Sequence, residues 1–199
     1  MDAIKIFLAN VRSYYMDYRL GITTRGMFIF EDQTSLYKDY HEYDASYYGI
    51  LERTQKFISF KKNDVFIDLG CGKGRAVFFY SYKGIRKSIG IEINKKLIHD
   101  AKTNLKKFKY FKNNIKFSQI DAAKYNFFDE TIIYLANPFG KLTLSRVLRN
   151  LKKSLIKNPR KIRIIYVFAR FKDCFEKQDW LKEKKIKDKD FRIWINCKY

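Results

Sequence analysis

The run Val65-Phe66-Ile67-Asp68-Leu69-Gly70-Cys71-Gly72-Lys73-Gly74-Arg75 constrains this chain more than any other segment. Val65 to Leu69 suit a strand buried on both faces, and the apolar stretch Ala76 to Phe79 suits a helix packed back on the sheet. Glycines between them let backbone amides approach a ligand without Cβ interference, and the helix N-terminus adds its own unpaired N–H groups. A nucleotide-like ligand is the expectation.

Spacing separates the candidates. A Walker-type phosphate loop needs Lys-Ser/Thr after its last glycine, and Gly74 is followed by Arg75-Ala76. The dinucleotide fingerprint G-x-G-x-x-G needs glycine where Arg75 stands, which disfavours a pyrophosphate turn and leaves it open. Further along, Ser88 to Ile93 reads as a second strand carrying Glu92, one strand-helix-strand unit after Asp68. A carboxylate there can accept both ribose hydroxyls of an adenosine, which nicotinamide and methionine-adenosine cofactors share. A third strand, Ile115 to Ile120, ends at Asp121-Ala122, and a fourth, Thr131 to Ala136, runs into Asn137-Pro138-Phe139-Gly140. Four strand ends thus carry polar or glycine-bearing segments, where open parallel sheets bind ligands.

With these residues in view, the D-L-G-C-G-K-G loop and the Asn-Pro-Phe turn resemble those of bacterial class I S-adenosylmethionine-dependent methyltransferases, from about residue 18 to 180. The resemblance implies an α/β fold: a Rossmann-like, seven-stranded, mostly parallel sheet with an antiparallel last strand and helices on both faces. It also implies S-adenosyl-L-methionine as cofactor, S-adenosyl-L-homocysteine as product, and no metal. The cofactor would lie across Tyr43, Asp68, Gly70, Cys71, Gly72, Gly74, Glu92, Ile93, Asp121, Ala122 and Asn137, with Asp121 meeting the adenine amino group. Asn137, Pro138, Phe139 and Tyr47 would form the catalytic end. Relatives have a Tyr-Glu-Pro-Thr-like segment ahead of the first strand; here Tyr43-Asp44-Ala45-Ser46-Tyr47 keeps an acid and lacks the proline.

At 199 residues and 46% hydrophobic content, one domain with a full core is expected over residues 1–199: a helical cap and cofactor-covering segment over 1–60, then the core over 61–199. No apolar run reaches membrane-span length, and Ile4 to Leu8 lacks a cleavage signature, so a cytoplasmic enzyme is the plain reading. Cys71, Cys174 and Cys197 lack paired spacing, and His41 and His99 lie far from them in sequence, which suggests neither a disulfide framework nor a zinc site. Cys71 reads as a small filler, since no base partners it locally. The +21 net charge favours polyanions or acidic surfaces, and nucleic acid stays open as a partner. Lysines in 102–116 and 182–189 alternate with apolar or acidic residues, as on a solvated face, and no RNA-binding module accompanies them.

Ile4, Phe7, Leu8, Val11 and Tyr15 recur at helical spacing and predict an amphipathic packing helix over 4–18. A turn near Gly21 and Gly26, a tyrosine-rich stretch from Tyr37 to Tyr48 and a helix over 46–60 follow. Leu142 to Ile156 predicts a helix, Ile162 to Phe168 a fifth strand, and 179–199 the closing pair.

A sulfonium methyl is already activated, so the protein has mainly to align a nucleophile and exclude water. The Asn137 and Pro138 carbonyls could accept hydrogen bonds from an attacking amine, with Phe139 on its apolar side. Base and glutamine methyltransferases usually show Asn/Asp-Pro-Pro-aromatic at this point, whereas this chain has a single proline. Distant similarity to non-SET lysine methyltransferases, through the Asn-Pro-Phe-Gly turn and Tyr43 to Gly49, makes protein lysine the leading acceptor. RNA, a small molecule, or a non-catalytic cofactor- or RNA-binding module are the alternatives.

Overall fold

A computed structural model describes residues 3–27, 39–61, 63–110, 112 and 114–199. Tyr37 of the tyrosine-rich stretch, and Phe111 and Asn113 of the lysine-rich segment, lie outside them. Apolar alternation produces seven strands: β1 Val65–Leu69, β2 Lys87–Glu92, β3 Ile115–Gln119, β4 Ile132–Leu135, β5 Arg163–Val167, β6 Leu181–Lys184 and β7 Phe191–Asn196. They form one sheet in the order β3-β2-β1-β4-β5-β7-β6. The first five are mutually parallel, and β7 runs antiparallel to both β5 and β6. Seven strands and a reversed last strand match the expected fold class.

Period-two alternation divides the strands between two cores. Phe66, Ile132, Tyr134, Ile165 and Val167 face one side and pack with α3 (Arg75–Tyr82) and with Ile98 and Ala101 of α4 (Lys95–Lys107). Ile67, Leu69, Ile133, Leu135, Ile164 and Tyr166 face the other, under α5 (Lys141–Lys157) and Phe175 of α6 (Asp173–Glu176). Phe175 stacks on Trp194 of β7 at 4.3 Å. Each fully buried large apolar side chain contributes roughly 1.5–3 kcal/mol, which holds the strand ends in register. Local signals set the helix starts: Asn94 caps α4 by accepting from the amides of Lys96 and Leu97.

Two predicted elements differ. The helix expected over 46–60 is α2 over Tyr48–Lys56, because Tyr47 is extended and the Ser46 carbonyl is taken by a side chain described below. The first helix, α1 (Ala3–Leu20), buries Ser13, Met16, Asp17 and Leu20. Ile4, Phe7, Leu8, Val11 and Tyr15, expected to pack inward, are exposed. The face carrying Met16, Asp17 and Leu20 turns inward because Asp17 is fully satisfied there: it accepts from the Thr24 amide at 2.7 Å, the Thr24 hydroxyl at 2.9 Å and the Tyr48 hydroxyl at 2.8 Å.

Candidate functional site

The site lies at the carboxyl ends of β1, β2, β4 and β5, roofed by a strap formed by residues 39–46. Its floor is the glycine loop. Gly70 and Gly72 have φ of +78° and +52°, and a Cβ on Gly72 would stand 2.0 Å from the Tyr43 ring, so only glycine lets strap and loop close this far. Asp68 and Glu92, two of the carboxylates named from sequence, line the cavity between them. Glu92 accepts from the Gly72 amide at 3.0 Å and the Asn94 amide at 2.9 Å. Burial raises its pKa and those amides hold it back. The Asp68 carboxyl makes no hydrogen bond among the described residues, and burial, with Glu92 nearby, pushes its pKa well above the carboxylate range. A buried carboxyl without a donor, lining a cavity, is an acceptor awaiting a cationic or hydroxylic ligand.

The strap is anchored along its whole length. Asp39 sits on the N-terminus of α5, accepting from the Thr143 amide at 2.6 Å, while its carbonyl accepts from Gly140 at 2.7 Å. Tyr40 donates to Asp121 at 2.5 Å and meets Phe139 edge to face at 6.0 Å. The His41 amide donates to the Pro138 carbonyl at 2.9 Å, and its ring Nδ1 lies 2.6 Å from the Asn137 carbonyl. Tyr43 donates to the Thr24 carbonyl at 2.6 Å. Arg75, buried at the start of α3, donates to the carbonyls of Ala45 and Ser46 at 3.3 and 3.2 Å and to the Thr24 hydroxyl at 2.7 Å. The residue that breaks the dinucleotide fingerprint therefore clamps the strap.

Two cavities share this roof. The inner one, about 60 Å³, is bounded by Asp68, Gly70, Glu92, Leu97 and Pro138. The outer one, about 510 Å³, lies over the ends of β4 and β5, between Asn137, Phe168, Arg170 and Met27. Tyr40, His41, Glu42, Asp44, Ser46 and Ala136 line both. Asn137 and Phe168, at neighbouring strand ends, each have φ of +50°, a left-handed conformation costly for residues with a Cβ.

The structure brings Tyr43, Asp68, Gly70, Cys71, Glu92 and Pro138 together around the inner cavity. Asn137 lines the outer one, its Oδ1 accepting from the Tyr166 hydroxyl at 3.1 Å. Gly72 lies under Tyr43 and Gly74 against Phe117 and Phe78. Cys71 is a buried filler beside Gly90, its thiol pKa raised by burial and by Asp68 and Glu92. Ile93 and Ala122 are buried outside both cavities, and Asp121 is engaged by Tyr40 and by the Ala123 amide at 2.7 Å. Phe139 and Tyr47 stand apart. Phe139 is buried among Leu144, Val147 and their neighbours, and Tyr47 packs against the opposite core at the start of α2. The two carbonyls offered to an attacking amine, of Asn137 and Pro138, each already receive a hydrogen bond from His41. Sequence reasoning did not single out His41, Glu42, Phe168 or Arg170. Only the crossing of the strap over β4 and β5 unites them, and no local pattern encodes that crossing.

Among the described residues no group of three or more His, Cys, Asp or Glu could hold a metal ion, and no helix is long and apolar enough to cross a membrane. Residues 60–193 match the methyltransferase domain family, and the chain belongs to it. An uncharacterized protein of Methanocaldococcus jannaschii is 35% identical over 97 residues, which span 49% of this chain and 38% of that protein. Among solved structures, a Salinibacter ruber RNA methyltransferase in complex with S-adenosyl-L-homocysteine is 18% identical, with a TM-score of 0.52 over 76% of this chain and 92% of that one. The magnesium protoporphyrin IX methyltransferase of Synechocystis, with bound S-adenosylmethionine, is 15% identical, with a TM-score of 0.56 over 98% and 96%. At these identities the likeness concerns the fold.

Proposed function

We propose that the chain is an S-adenosyl-L-methionine-dependent methyltransferase of one domain, residues 1–199, acting on an amine, with protein lysine as the leading acceptor. The observation that carries the cofactor assignment is the unpartnered, buried Asp68 beside an amide-held Glu92 on a glycine floor. Asp68 would meet the methionine end, Glu92 the ribose hydroxyls, and the glycine loop would lie under both. When bound, the cofactor supplies an activated methyl. The chain's residues orient it and exclude water. At about 60 Å³ the inner cavity is smaller than a nucleoside, so binding requires the strap tyrosines to withdraw, and Asp121 becomes available to adenine once Tyr40 releases it.

The amine reading is supported by the wall of the outer cavity. In a chain with a net charge of +21, Glu42 and Asp44 both line it, an acidic spot suited to an ammonium. The overall charge favours RNA as a second reading. One experiment separates them: incubation with methyl-labelled cofactor and a fractionated lysate, then nuclease and acid hydrolysis. Label in methyl-lysine supports the amine, and label lost to nuclease supports RNA. Label in neither, with the cofactor bound, overturns both.

A further inference from the structure

His41 occupies the junction of the two cavities, and its ring is held in one protonation pattern by the backbone. The Asn137 carbonyl can only accept, so Nδ1, 2.6 Å away, carries the proton of that hydrogen bond. In the neutral ring Nε2 then bears a lone pair, and Nε2 makes no hydrogen bond among the described residues. The ring is steadied by Phe171, with centroids 6.2 Å apart, and by its own amide on the Pro138 carbonyl. Asn137, which supplies the tether, presents that carbonyl from a left-handed conformation at φ +50°, a region Asn adopts more readily than most residues.

We propose that His41 is a catalytic base for the acceptor amine: its Nε2 receives the proton that an ammonium must lose before it can attack. The proposal rests on the amine reading above. One N–H bond of the ammonium breaks and its proton passes to Nε2. The freed lone pair forms the new carbon–nitrogen bond while the donor's carbon–sulfur bond breaks, leaving its electron pair on sulfur. The imidazolium then releases its proton to solvent. The charged and titratable groups around the ring suit this task. Glu42 and Asp44 on the strap favour both the incoming ammonium and the transient imidazolium, and Arg170 opposes them from beyond β5. Lys141 stands over the Phe171 ring, 5.8 Å from its centroid. Tyr40 is bonded to Asp121, and Tyr166, its pKa pushed up to about 12 by burial, stays neutral and donates to Asn137.

The test uses H41N, whose amide nitrogen can take the place of Nδ1 on the Asn137 carbonyl but which has nothing in place of Nε2. Labelled S-adenosylmethionine is the donor, and poly-L-lysine and lysate protein fractions are the acceptors. Homocysteine-product binding by calorimetry should stay within about twofold of wild type, while turnover near neutral pH falls roughly 100-fold. Above about pH 10, where a lysine amine sheds its own proton, the variant should recover toward the wild-type rate. A purely structural defect would not recover. Because the chain has two histidines, His41 and His99, nitrogen-15 imidazole spectra of the wild type give a second readout, with Nδ1 protonated and Nε2 bare expected for His41. Equal turnover of H41N and wild type, or an Nε2–H tautomer at His41, overturns the base and leaves the amine reading standing. Failure of the wild type to label any amine, with the cofactor bound, overturns both.

Discussion

The amide of Gly72 donates to Oε2 of Glu92 across 3.0 Å, tying the glycine loop to the end of β2. With Asn94 on Oε1, the carboxylate is aimed by backbone donors before any ligand arrives. E92A should therefore weaken S-adenosyl-L-homocysteine binding by roughly 10- to 100-fold, as expected for losing hydrogen bonds to a charged group. Calorimetry checks this, and an unchanged affinity would remove Glu92 from the ribose site.

The closeness of Gly72 and Tyr43 makes a second expectation. A Cβ at position 72 adds left-handed strain of about 1–2 kcal/mol and collides with the Tyr43 ring. G72A should lower both stability and cofactor affinity, and Y43A in the same chain should relieve the collision but not the strain. A double-mutant cycle followed by urea unfolding measures the coupling. Strict additivity would mean that strap and loop do not touch in solution.

Asp68 gives a pH dependence whose sign follows from its raised pKa. The fold prefers the neutral acid, so the associated stability is present in acid and is lost as pH rises from the ordinary carboxylate range through the raised value. D68N removes the penalty of a buried charge. Without cofactor it should be more stable than wild type above neutral pH, with the gap closing below about pH 4, and it should bind cofactor more weakly. Urea unfolding at both pH values tests it. A D68N protein less stable than wild type at alkaline pH would contradict the account.

Asp17 carries the junction of α1, α2 and the strap. It takes three hydrogen bonds from Thr24 and Tyr48, with Arg25 at 3.7 Å and Arg75 at 3.9 Å. D17A leaves those buried groups without their acceptor and should cost about 3–5 kcal/mol. It should also loosen the Arg75 clamp on Ala45 and Ser46. Chemical denaturation measures the first effect and proteolysis near the strap the second. A loss below about 1 kcal/mol, within the range of an exposed pair, would contradict it.

Phe139 separates a core role from a site role. It is buried against α5 and backs Tyr40, so F139A should cost roughly 3–5 kcal/mol through the cavity left behind. Any loss of turnover should follow from the displaced strap. A variant of wild-type stability with slowed transfer would return Phe139 to the acceptor's side.

The strands and their order of ligand-bearing ends were legible because buried parallel strands read as continuous apolar runs, and the glycines and acids at their tips have few alternative uses. For that reason Asp68, Gly70 and Glu92, which line the inner cavity, could be named from the sequence. The orientation of α1 was not legible: an apolar stripe at helical spacing shows that a helix is amphipathic but not which face packs, and the satisfied Asp17 decides it the other way. The outer cavity was hidden for a different reason. His41, Asn137 and Arg170 lie far apart in sequence, and their meeting depends on β4 pairing with β5 and on Asp39 fixing the strap to α5.

In the proposed function the glycine floor with Asp68 and Glu92 holds S-adenosylmethionine. Calorimetric titration of the purified chain with S-adenosyl-L-homocysteine, S-adenosylmethionine and NAD tests it most directly. One equivalent of each sulfur compound should bind, with affinity reduced in E92A and D68N, and NAD should give no comparable heat. Absence of binding by both sulfur compounds, or a preference for NAD, would contradict the claim.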